Sequence, residues 1–133
     1  MFNKRGTDQT ESLELDPEIC TSGVKALFNS REKGQYFVAE ENDEIIGSLM
    51  ITYEWSDWRC GTVWWIQSVF VKPAVRGKGV YKGLYNFIKQ QVESDKNIRG
   101  IRLYVDSSNL KAKVVYTKLD MNGQHYQVFE WMK

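Results

Sequence analysis

At 133 residues the chain fits one domain with a core of its own, and nothing calls for a second. Lys and Arg number 18 against 17 Asp and Glu, so no global field draws the protein to nucleic acid or to a membrane surface, and any basic site has to be local. A hydrophobic share of 42% with 26% charged residues is that of a soluble globular protein, and no run is long enough to span a membrane.

The first twelve residues are polar and without period, and read as a loose arm of residues 1–14 before a single domain over 15–133. Met1 to Leu15 has no apolar core and no cleavage pattern, which points to the cytoplasm. Cys20 and Cys60 lie in different kinds of segment, giving neither a disulfide framework nor a metal pattern, so free thiols are expected. Asp16-Pro17-Glu18 is a helix start: a capping carboxylate, proline at the first helical position, then an acid favoured by the helix dipole. Ile19, Val24, Leu27 and Phe28 form its inward stripe, and the helix is expected to stop near Asn29-Ser30.

Gln35 to Ala39 and Ile45 to Tyr53 read as a hairpin across the acidic turn Glu40-Glu41-Asn42-Asp43-Glu44. A second turn, Glu54 to Gly61, carries Trp55 and Trp58, for which no core position is evident. Thr62 to Val71 returns as a long, nearly continuous apolar strand, the pattern of a central strand covered on both faces. Val80, Leu84, Phe87, Ile88 and Val92 are a helical stripe, ended by Ser94-Asp95-Lys96-Asn97. Ile98 to Val105 alternates as a strand and, lying after a crossover helix, is expected parallel to the strand ending at Val71. Ser107 or Ser108 then caps a helix with Leu110, Val114, Val115 and Leu119 inward, and His125 to Trp131 is expected as a last strand.

Between the central strand and its helix stands Arg76-Gly77-Lys78-Gly79-Val80-Tyr81-Lys82, a basic turn at a helix N-terminus. Backbone N–H groups there lack intrahelical partners and the dipole end is positive, so the turn reads as a phosphate cradle, with Arg76, Lys78 and Lys82 adding charge. By spacing alone, two glycines and an arginine at such a junction also serve plain turn geometry.

The order of elements, this turn after Val69-Phe70-Val71-Lys72-Pro73, and Asn109 followed by Tyr116-Thr117-Lys118-Leu119-Asp120-Met121 together resemble the GCN5-related N-acetyltransferase (GNAT) superfamily from about Leu15 onward. The resemblance implies an α/β fold with a mixed sheet of about six strands, splayed between its two parallel central strands and flanked by helices. It implies acetyl-coenzyme A as cosubstrate, with the pyrophosphate on Arg76 to Lys82 and the pantetheine arm added as an extra strand to Val69, Phe70 and Val71. A backbone N–H of Val69 or Phe70 would then stabilise the oxyanion, Asn109 would hold the pantetheine, and Tyr116 would protonate the leaving thiolate. The expected activity is N-acetyl transfer to a small-molecule or protein primary amine by direct attack in a ternary complex.

Two departures stand out. Tyr81 occupies a position where the family has glycine or alanine, and is expected to point away from the phosphates. The usual first strand and helix are reduced or missing, so the chain is a fragment or is completed as a homodimer. Glu54, acting through a water, is the chosen general base, against the plainer reading of a solvated turn residue. Trp55, Trp58 and Gln67 are the candidate acceptor-site residues, although tryptophans in such a turn also serve as sheet cover. A coenzyme A-binding module without catalysis is the competing function.

Overall fold

The computed structural model describes residues 16–133. The expected polar arm lies outside them. The first described element is α1, Pro17–Phe28, whose N-cap Asp16 accepts hydrogen bonds from the backbone of Glu18 at 2.9 Å and Ile19 at 3.2 Å. That satisfies two of the donors a helix start leaves over. Only Leu27 of its apolar stripe is buried; Ile19 and Phe28 remain exposed.

Strands β1 (Gln35–Glu41) and β2 (Glu44–Ser56) form an antiparallel hairpin. Its two-residue turn, Asn42-Asp43, has φ +52 and +62, the left-handed pair of a primed turn whose twist matches that of the strands. Both strands therefore run closer to the turn than the acidic cluster indicates. Strand β3 (Gly61–Val71) pairs antiparallel to β2 and parallel to β4 (Ile98–Leu103), with α2 (Val80–Ser94) as the crossover between them. Helix α3 (Leu110–Lys118) follows β4. Lys72 pairs with Glu44 and its N–H donates to the Ile46 carbonyl at 2.9 Å, tying the end of β3 to the start of β2.

Alternation in β2 and β3 sends Leu49, Ile51, Trp64 and Ile66 to the face that receives Leu84, Tyr85 and Ile88 of α2. This is the core. Each of the fully buried Leu49, Ile51 and Ile88 contributes about 1.5–3 kcal/mol by leaving water. Helix α2 sits close to the sheet because Gly47 has no side chain: a Cβ there would stand 2.8 Å from Val80 Cγ1.

Three sequence expectations need correction. Among the described residues the sheet has four strands, in the order β1-β2-β3-β4, rather than about six. His125 to Trp131 forms no strand, because a strand also needs a ladder partner and none of the four strands takes it. The cap of α3 is Asn109, whose Oδ1 accepts from Ala112 N–H at 3.0 Å, and not Ser107 or Ser108. Ser108 instead donates from N–H and hydroxyl to Asp106 in the turn before it, and Leu110, Val114 and Val115 of α3 are exposed rather than inward.

Candidate functional site

The parallel pairing of β3 and β4 ends at Ile66 with Leu103, so the last stretch of β3 runs on toward Val71 beyond the end of β4. In that stretch Ser68 and Val69 together oppose the single Leu49 of β2: Gln67 pairs with Met50 and Phe70 with Ser48. Ser68 takes φ +52, uncommon for a residue with a Cβ, and the result is a β-bulge that bends the strand and re-aims its backbone. The bulge thus lies in the part of β3 that runs on past the end of its parallel partner.

The chain then passes through a short turn of 3₁₀ helix, Pro73–Val75, into Arg76-Gly77-Lys78-Gly79. Arg76 Nε donates to the Val71 carbonyl at 2.9 Å, which fixes the start of the loop to the end of β3. Gly77 and Gly79 have φ +77 and +86, left-handed values that a Cβ disfavours. Nothing lies within 4 Å of where a Cβ would stand on either, so conformation rather than space demands glycine, and the loop presents open backbone. Gly79 is the N-cap of α2 and offers no capping side chain. The first intrahelical bond of that turn is Gly83 N–H to Gly79 O at 2.9 Å, so the N–H groups ahead of it point out of the helix beside exposed Lys78 and Lys82. These residues fit a pyrophosphate: positive dipole end, donors in a row, and cations at the rim.

Tyr116 is on the last turns of α3, and its ring meets that of Tyr81 edge-on with centroids 6.0 Å apart. Tyr81 lies in the first turn of α2 and its side chain packs into the core, so the tyrosine that replaces a small residue turns inward from the cradle. Burial pushes the phenol pKa values of Tyr116 and Tyr81 up from the ordinary tyrosine range, keeping both protonated. Asn109 spends its Oδ1 on the α3 cap; its amide N–H₂ remains the group with which it would donate to a ligand.

Glu54 lies on the other face of the sheet from α2, bonded to Trp65 Nε1 at 2.8 Å and to Arg102 at 2.9 and 3.1 Å. The Trp65 indole N–H, aided by Arg102 and opposed by partial loss of hydration, holds its carboxyl below the usual carboxylate range. Gln67 donates to Thr52 Oγ1 at 2.5 Å on that face. Trp55, in β2 opposite Thr62, is 65% exposed, and Trp58, 91% exposed, lies in the turn closed by Cys60 N–H on the Asp57 carbonyl at 3.2 Å, so Glu54 and Trp55 belong to the strand and not to the expected turn. Sequence reading passed over Arg102 and Trp65 as partners of Glu54. The available signal was that both occupy positions whose neighbours, Ile101, Leu103, Trp64 and Ile66, face the core.

A mixed sheet with one parallel pair, a bulge in its central strand and a glycine turn without a capping side chain at the start of the crossover helix define an α/β domain whose turn fits a phosphate-bearing ligand. The model of the acetyltransferase (GNAT) family matches residues 5–121, and the chain belongs to that family. Among solved structures it is similar to a possible acetyltransferase from Clostridium difficile 630, at 43% identity and a TM-score of 0.92, over 99% of this chain and 87% of that one. Fold similarity extends to glucosamine-6-phosphate N-acetyltransferase from Arabidopsis thaliana, at 20% identity and a TM-score of 0.68, over 90% and 81% of the two chains. It extends also to an aminoglycoside acetyltransferase from an uncultured soil metagenomic sample, solved with sisomicin, at 15% identity and a TM-score of 0.73, over 96% and 82%. No curated protein matches the chain. Among the described residues no helix is long and apolar enough to cross a membrane.

Proposed function

We propose that the protein is an N-acetyltransferase that moves the acetyl group of acetyl-coenzyme A to a primary amine by direct attack while both substrates are bound. The observation that supports this reading is the contact of the Tyr116 ring with that of Tyr81 in the first turn of α2, the helix that follows the glycine turn. Acetyl-coenzyme A supplies the activated thioester. Residues Arg76, Gly77, Lys78, Gly79, Val80, Tyr81 and Lys82 hold the diphosphate, largely through backbone N–H groups. The edge of β3 around Val69, with Phe70 and Val71 beyond it, takes the pantetheine arm as an added strand, and the Asn109 amide steadies its far end. The bulge favours Val69 as the residue whose N–H faces the carbonyl oxygen as charge develops there. Tyr116 gives its proton to the departing sulfur.

For the acceptor, Trp55, Trp58 and Gln67 are the proposed contacts, the indoles offering flat faces to a cationic or aromatic amine. Glu54 is proposed to act on the acceptor amine through water. Its ion pair with Arg102 keeps it ionised and weakens it as a base, so positioning of the two substrates carries more of the rate. Calorimetric titration with acetyl-coenzyme A, followed by thiol-release assay of the same sample with a panel of amines, tests the reading. Binding with turnover is expected; tight binding without turnover on any amine would instead favour a coenzyme A-binding module.

A further inference from the structure

The cradle tyrosine is not accounted for by phosphate binding. Tyr81 directs its ring into the core and against Tyr116, and its hydroxyl is buried without a hydrogen-bond partner at good geometry. A buried hydroxyl in that state is costly and needs a reason. The phenol that faces it belongs to the residue read above as the general acid.

We infer that Tyr81 is a positioning residue for Tyr116, its hydroxyl set to donate a hydrogen bond to the Tyr116 oxygen as that oxygen gives up its proton. The inference rests on the reading of Tyr116 as general acid. The step balances simply. The Tyr116 O–H bond breaks as the S–H bond of the departing thiol forms, and the electron pair stays on the Tyr116 oxygen as a phenolate. Tyr81 keeps its own proton and shares it in a hydrogen bond to that phenolate, and solvent returns the proton to Tyr116 after the product leaves.

A phenolate is hard to form at a buried site, and burial raises the Tyr116 pKa. The Tyr81 hydroxyl, on a ring 6.0 Å from that of Tyr116, opposes that rise. Such bonds tighten when charge appears on the acceptor. The rest of the cluster does not substitute for it. Tyr85, the next phenol along α2, faces Tyr81 at 6.5 Å, and its own pKa is raised by burial and then by Asp120. An anion at Asp120 would disfavour a second negative charge, so Tyr81 is the group placed to receive the developing phenolate.

The test is a double-mutant cycle on Tyr81→Phe and Tyr116→Phe, read as turnover with the panel of amines. Removing the buried, poorly bonded Tyr81 hydroxyl keeps the ring in place, so Tyr81→Phe is expected to fold at least as well as the parent. Tyr116→Phe lowers turnover by about 10²-fold or more, and Tyr81→Phe by about tenfold with an unchanged KM for acetyl-coenzyme A. The double variant matches Tyr116→Phe alone, because Tyr81 acts only through the phenol that has gone. Parent-like turnover of Tyr81→Phe, or two losses that multiply, would overturn the inference while leaving Tyr116 as the acid. Full turnover of Tyr116→Phe would remove the general acid, and the role of Tyr81 with it.

Discussion

Glu54 illustrates how one side chain's surroundings set what it does. Its carboxylate accepts from Trp65 and Arg102, and it is 37% exposed, so the ion pair with Arg102 is worth no more than about 1 kcal/mol. Because its pKa in the folded protein lies below the ordinary 4.5, the pair stabilises the fold fully above about pH 4.5. That contribution is lost as pH falls from there through the lower folded value. Glu54→Gln cannot titrate, so the parent is expected to lose stability more steeply than the variant below about pH 4.5, measured as urea midpoints across the acid range. Parallel curves for the two proteins would show that the pair contributes nothing. The same geometry sets the limit on Glu54 as a base, since a carboxylate held ionised by two donors gives up part of its proton affinity.

The turn from β3 into α2 joins two demands on the backbone. It has to enter a helix and, in the proposed function, expose N–H groups to an anion, and the positive φ of Gly77 and Gly79 suits both. Placing alanine at Gly79 costs about 1–2 kcal/mol in backbone strain at that left-handed position and moves the first N–H groups of α2. Arg76→Ala frees the loop from the Val71 carbonyl and removes a cation. Each substitution is expected to weaken acetyl-coenzyme A binding by about tenfold, and the pair by more, in calorimetric titration. Affinity equal to the parent's in both single variants would put the diphosphate elsewhere. The bulge in β3 has a comparable part to play, since Ser68 holds a left-handed φ without being glycine, and such positions persist where the surrounding structure determines them.

Taken together, the described residues form a sheet with helix α2 packed on one face, and a C-terminal segment that the sheet does not take up. Phe129 is 92% and Trp131 86% exposed, with Tyr126, Val128 and Met132 also open to solvent. An apolar patch of that kind is a candidate interface. Tyr126 lies against Arg102, 5.6 Å from guanidinium carbon to ring centroid, so the segment passes the Arg102 side chain that pairs with Glu54. We propose that the protein is a homodimer in which this segment packs against the second copy. Sedimentation velocity of the parent should show a dimer, and Phe129→Ser with Trp131→Ser should shift it to a monomer. A parent that stays monomeric at concentrations of about 100 μM would sink the proposal.

Much of this architecture was readable from residues that are neighbours in the chain. Asp16-Pro17-Glu18 announces α1, Glu40 to Glu44 a turn between two strands, and the stripe Leu84-Ile88-Val92 the core face of α2, because caps, turns and periodicity act over a few residues. The GNAT family was legible for the same reason, from the glycine turn and the strand before it, together with Asn109 and Tyr116. Relations between distant residues were not. Glu54 and Arg102 are 48 positions apart, and only the pairing of β2 with β3 and of β3 with β4 makes them partners. The contact of Tyr81 with Tyr116 likewise needs α2 and α3 to be brought together, and the bulge at Ser68 emerges from a register that no local pattern carries. His125 to Trp131 marks the same boundary from the other side: its aromatic and β-branched residues state a preference for extended chain, but whether an extended chain becomes a strand depends on a partner, which is a property of the folded whole.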